Sequence, residues 1–384
     1  MIITNVNIET LTSAGIIRGG WIFIRDGKIK SVGTGQPPAD ERIIDGHGGY
    51  ALPGFIDAHT HLGLCEDSLD FEGDDTNEDS EPSMPHLRAI DGINPFDRYF
   101  AEARESGITT AAVAPGSANP IGGQVCVVKT VGRRIDKMTI LAPAAIKFAL
   151  GENPKSTYHA KNESPVTRMA TAAIIRETLY KAQRYLSDKE RAAEDEDFDE
   201  PEYDMQSEAL LPLLRGEITA HFHAHRADDI CTALRISDEF NLRPVIVHGT
   251  EGYLIADELS GIPVIAGPNL CDRSKPELRG QTMDNPRILN ESGVLCALTT
   301  DHPVTPLPYL TLAAAMALKN GMSREDALRA ITVNPAKILG IDNRVGTIEP
   351  GKDADIVITN GDPLGLSYEI LSVIIDGNEV YTNG

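Results

Sequence analysis

Histidines recur in this sequence at spacings that would let them act together. His59 and His61 close the segment Pro53-Gly-Phe-Ile-Asp-Ala-His-Thr-His, and His221, His223 and His225 alternate in His-Phe-His-Ala-His. In an extended strand, residues two apart project to the same side. Each group can therefore converge on one metal ion, for which imidazole is a preferred ligand. His248 ends the apolar run Pro244-Val-Ile-Val-His, and Asp301, followed by His302, ends Ala297-Leu-Thr-Thr-Asp. A carboxylate at the end of a buried strand is costly unless it is paired or bound to metal. Lys147, in Ala144-Ala-Ile-Lys-Phe-Ala-Leu, is costly there as a cation, so its pKa should fall. A neutral amine at that position can take up CO2 as a carbamate, an anionic bridge between two metals. Such a set suits hydrolysis by water that a divalent metal has activated.

Strands must bring these residues together. Short apolar runs near residues 55–59, 108–113, 124–130, 144–149, 218–223, 244–248, 262–266 and 294–300 read as eight strands, with helical patterns such as 167–186 and 228–240 between most of them. Alternation of strand and helix argues for a parallel sheet, and eight units in this length argue for a (β/α)8 TIM barrel. The segments 64–93 and 150–166 are longer than ordinary connections and read as loops on the catalytic face. Both termini read as β: Trp21-Ile-Phe-Ile precedes the Asp26-Gly27 turn, and Val373-Ile-Ile precedes Asp376-Gly377. Neither end can bury a good core alone. The expected α/β fold is therefore a barrel over 53–344 inserted into a small β-sandwich domain built from 1–52 plus 345–384.

Bulk composition excludes several classes. The net charge of −22 over 384 residues argues against a nucleic-acid partner, because phosphate binding depends on Lys and Arg. No apolar run approaches the roughly 20 residues of a membrane helix. Met1-Ile-Ile-Thr-Asn-Val does not read as a secretory signal, so a cytoplasmic location is expected. The five cysteines are scattered and contain no Cys-x-x-Cys pair, which disfavours a disulfide framework or a thiolate zinc site.

The constellation resembles the amidohydrolase superfamily. His-x-His on strand one, Lys on strand four, His on strands five and six and Asp on strand eight match that family's metal pattern. Pro53-Gly-Phe-Ile-Asp-Ala-His-Thr-His near the front and Gly346-Thr-Ile-Glu-Pro-Gly-Lys-Asp-Ala-Asp-Ile-Val near the end match its flanking segments. Within it the chain is similar to the imidazolonepropionase-like and prolidase-like branch. The resemblance implies that His59, His61, Lys147, His223, His248 and Asp301 hold one or two divalent ions, expected to be zinc. It favours His223 over its neighbours on strand five, leaving His225 to face the substrate. It also implies a carboxylated Lys147, although the long segment between Lys147 and His223 departs from the usual spacing and leaves Glu152 as a competitor. Homo-oligomers are common in the superfamily and one is expected here.

The implied reaction is hydrolysis of an amide, cyclic amide or dipeptide. Asp301 would act as general base and then acid, and His248 or His225 would hold the oxyanion. The alternatives are deamination, deacetylation or lactone hydrolysis on the same scaffold. Arg226 stands three residues after His223, where deaminating relatives usually place Glu, and this lowers the case for deamination. A non-catalytic relative is disfavoured because the ligand set is complete. Arg88 and Arg168 are candidate clamps for a substrate carboxylate; Glu152 and His302 complete the candidate substrate-facing residues.

Overall fold

The structure, a computed structural model, describes residues 1–40 and 42–383. The N-terminal part supplies β1 (Ile2–Glu9), β2 (Ile16–Arg25), β3 (Lys28–Gly33), β4 (Ile43–Asp45) and β5 (Tyr50–Pro53). Next come β6 (Phe55–Thr60), β7 (Ile108–Val113), β8 (Ile121–Lys129), β9 (Thr139–Ala149), β10 (Thr219–Ala224), β11 (Pro244–His248), β12 (Val264–Ala266) and β13 (Cys296–Leu298). The chain ends with β14 (Ile356–Thr359), β15 (Ile370–Ile375) and β16 (Asn378–Thr382).

The strands form two sheets. One runs β16-β15-β14-β5-β1-β2-β3, with β4 on β1, so both termini share it as expected. Its core is aliphatic: Ile3, Ile8, Ile22, Ile24, Ile356 and Ile374 are buried together. The other runs from β6 to β13 in chain order. Hydrogen bonds across its two ends curl it into a barrel. The His61 amide donates to the His302 carbonyl at 2.8 Å, and the Asp57 carboxylate accepts from the Thr299 hydroxyl at 2.6 Å and the Thr300 amide at 3.1 Å. The barrel strands read as continuous apolar runs because helices cover their outer faces; β6 and β7 are buried at every residue.

Two expectations change in detail. Strand β8 is antiparallel to both β7 and β9, while the other barrel pairs are parallel. The connection from Val113 to Ile121 is too short for a crossover, which needs a dozen residues or more, so the chain returns as a hairpin. The 150–166 segment is not an open loop. It contains a helix, Glu152–Lys161, entered from Gly151 at φ 83° and left through Asn162 in the left-handed region. The 64–93 segment is mostly irregular, and its Cys65, Asp74, Thr76 and Asn77 reach the cavity above the barrel. Among the described residues, no helix is long and apolar enough to cross a membrane.

Candidate metal centre

The C-terminal ends of the barrel strands open into a cavity of about 350 Å³, lined by His61, Lys147, His223, His225, His248 and Asp301 among others. Register explains the convergence. His221 pairs with Lys147 across β10 and β9, and His223 pairs with Val247 one residue before His248. The alternation therefore turns Lys147, His221 and His223 to the interior. His248 and Asp301 adopt left-handed backbone conformations, φ 75° and 52°. Such positions are strained for residues other than glycine and gather at functional sites.

Two clusters result. In the first, Nε2 of His59 and Nε2 of His61 each stand 3.5 Å from Asp301 Oδ1. In the second, His223, His225 and His248 offer nitrogens within 4.8 Å of one another, as the ligand atoms of the first cluster also do. Lys147 Nζ stands 3.0 Å from His59 Nε2. Outer partners set the tautomers, as ligating histidines require. His61 Nδ1 donates to the Ala114 carbonyl at 2.8 Å and His248 Nδ1 to the Gly267 carbonyl at 2.7 Å. Each Nε2 is left with its lone pair facing inward. Neither ring nitrogen of His223 has a hydrogen-bond partner among the described residues. An unmet buried polar group costs about 1–3 kcal/mol, and a metal ion would meet this one. The donor set therefore fits divalent metal.

The electrostatics agree. Burial, and then the neighbouring cations, push His59, His223 and His225 well below the usual imidazole range and His248 to about 4. Neutral imidazole is the ligating form. Burial lowers Lys147 to about 8. Burial would raise Asp301, but His248, His61 and Lys147 hold it below its ordinary value.

Other candidates lie elsewhere. Arg88 lines a separate, larger cavity of about 800 Å³, and its guanidinium grips Asp91 with two bonds of 2.7 Å. Arg168 is committed to Asp229 at 2.8–3.1 Å. His302 turns away from the cavity, packs on Tyr99 with ring centroids 4.1 Å apart, and accepts a bond from the Leu307 amide. Glu152 opens its helix beside the site, and its backbone amide donates to Glu277 Oε2 at 2.9 Å. The structure adds residues that sequence reasoning passed over. Asp57 lies two residues before His59 on the same strand face, a position the alternation could have flagged; it holds Thr299 and Thr300 as described, and burial raises it to about 6. Lys275 and Glu277 follow β12 and reach the second cluster.

Fold and site define a barrel hydrolase with a histidine- and carboxylate-lined candidate metal site. The Amidohydrolase family pattern matches residues 214–380. A crystal structure of an amidohydrolase from Thermotoga maritima MSB8 superposes with a TM-score of 0.96 at 42% identity, covering 100% of both chains. The amidohydrolase tasK of Hapsidospora irregularis is 30% identical over 93% of this chain, which spans only 39% of that relative's length. An imidazolonepropionase of Symbiobacterium thermophilum is 25% identical over 91% of this chain and 86% of its own. The chain belongs to the amidohydrolase family, whose members hydrolyse carbon–nitrogen bonds and generally bind divalent metal.

Proposed function

We propose that this protein is a zinc-dependent amidohydrolase of the cytoplasm, acting as a homo-oligomer on a small amide, cyclic amide or dipeptide. The observation that carries the reading is the pair of clusters, His59–His61–Asp301 and His223–His225–His248, with Lys147 beside the first. His59, His61 and Asp301 would hold one ion; His223 and His248 would hold a second, with Lys147 as a bridging carbamate. When bound, divalent metal lowers the pKa of water towards about 7 and polarises a carbonyl.

The chain's own residues do the rest. Asp301 Oδ1, between two imidazoles and kept ionised, takes the proton of the attacking water and passes it to the leaving nitrogen. His248, whose Nδ1 donates to the Gly267 carbonyl, presents its Nε2 lone pair inward as a ligand and keeps no N–H for the developing oxyanion. Burial keeps Lys147 easily deprotonated, which suits reaction of its amine with CO2, releasing one proton. Lys275 is a second cation lining the cavity, but like Arg88 and Arg168 it is already paired, with Glu277 at 2.6 Å and Asn153 at 2.9 Å. The imidazolonepropionase relatives favour a cyclic amide among the candidates.

The test combines elemental analysis of protein purified without chelator with a hydrolysis panel of dipeptides and cyclic amides. About two ions per chain and turnover within the panel are expected. A chain that binds two ions but releases ammonia from purines or pyrimidines, and cleaves no amide, would overturn the reaction in favour of deamination.

A further inference from the structure

Glu277 is the buried carboxylate that the roles above do not use. It lies in the 3-10 turn Pro276–Leu278 after β12 and is 2% exposed. Its two oxygens are held differently. Oε2 accepts the Glu152 amide at 2.9 Å. The backbone has been shaped around this oxygen: a Cβ on Gly151 would come within 2.7 Å of it, and Gly151 has φ 83°. Oε1 faces the second cluster, 3.6 Å from His225 Nε2 and 3.8 Å from His223 Nε2. These separations are too long for hydrogen bonds. For His225 and His223 they are close to the spacing of donor atoms around one ion, since ligands about 2.0–2.2 Å from a tetrahedral centre stand roughly 3.3–3.6 Å apart; the group whose donor atoms all lie within 4.8 Å is the three histidines, with Glu277 at its edge. The first cluster shows the same signature, with Asp301 Oδ1 3.5 Å from two Nε2 atoms.

His225 is oriented for the same task. Its Nδ1 is engaged by the Thr250 hydroxyl at 2.7 Å, so Nε2 is the atom presented to the cluster. Its ring stacks on His248, centroids 4.5 Å apart, and stands edge-on to His223 at 4.7 Å. Lys275 Nζ now occupies the cationic position beside Glu277, 2.6 Å from Oε1 and 2.9 Å from Asn153 Oδ1.

We infer that the second metal position is a site of three histidines and one carboxylate, His223, His225, His248 and Glu277, complete without Lys147, and that the Lys275 ammonium competes with the ion for Glu277. The inference rests on the metal-dependent reading above, but it moves His225 from the substrate to the metal. It also makes the carbamate dispensable for holding the second ion.

The experiment measures ion content by elemental analysis and affinity by Co2+ titration, read from visible absorption. Folding is checked by thermal melts of each metal-free variant. Wild type should take up two ions. Glu277→Gln, nearly isosteric, should retain one and weaken the second by 100-fold or more, whereas Lys147→Met should retain both. Lys275→Met should tighten the second ion by removing its competitor, and this variant serves if Glu277→Gln does not fold. Two ions bound by Glu277→Gln with wild-type affinity, or weaker binding in Lys275→Met, would overturn the inference while leaving the hydrolase reading intact. A wild-type chain that binds no ion would overturn both.

Discussion

At the seam between barrel and terminal sheet, Lys129 at the end of β8 is 4% exposed and meets Asp353, Asp355 and Asp376 at 2.5–3.3 Å. Asp353 is shared with Lys28 and Arg344, and Arg324 joins Glu9 to Asp362 nearby. In the barrel cavity, buried polar groups are instead left open: both nitrogens of His223, and the Asp301 oxygen standing 3.5 Å from two imidazoles. Both regions bury charge. The seam closes every charge on a protein partner, as structural ion pairs must. The cavity holds its donors at a distance that suits a ligand. Burial alone therefore does not mark a functional group; burial without a protein partner, facing a cavity, does.

Breaking each region should have a different consequence. Asp301→Ala should lower kcat by about 10³-fold or more, since it removes proton transfer and a ligand together, while the metal-free melting temperature changes little; normal turnover would remove Asp301 from the chemistry. Lys129→Met should leave three carboxylates facing one another and cost about 3–5 kcal/mol in urea unfolding. Activity per folded molecule should be kept, and a fall in kcat with no loss of stability would erase the contrast between the two regions. Chelation should abolish turnover and lower the melting temperature, with added Zn2+ restoring both, because an ion bound only by the native state stabilises it by about 2.7 kcal/mol at 100 times its Kd.

The pH response sharpens the comparison further. Burial lowers His221 from 6.5 to about 3 and His302 from 6.5 to about 4. Their folded pKa values lie below the unfolded one, so the unfolded chain binds more protons in that window. Their contribution to stability is complete above pH 6.5 and is lost as pH falls through about 4. Denaturant titrations of the metal-free protein should show this decline; a stability flat from pH 7 to 4 would contradict it. The smallest effect belongs to Arg88→Ala, which should change kcat/KM by no more than about threefold, because surface ion pairs such as Arg88–Asp91 contribute little.

Much of this was legible in the chain. Apolar runs marked the eight barrel strands, and the His-x-His spacings were readable because strand geometry puts alternate residues on one face. The β tendency of both termini was readable too, and it pointed to a shared sheet. The reversal of β8 was implicit in the short connection after Val113 but was masked by the expectation of uniform alternation. Arg88 had its answer close by, since Asp91 is a helical neighbour three residues on. Arg168 did not: its partner Asp229 is 61 residues away.

The sequence by itself determined which side chains can ligate metal and which face of each strand they share, because both follow from residue type and a period of two. Only the tertiary structure decided which histidines meet, that Arg168 is already paired, and that Glu277, 52 residues beyond His225 in number, stands 3.6 Å from its Nε2. Those outcomes depend on the curl of the barrel and the paths of its loops, which bring together groups that no local spacing relates.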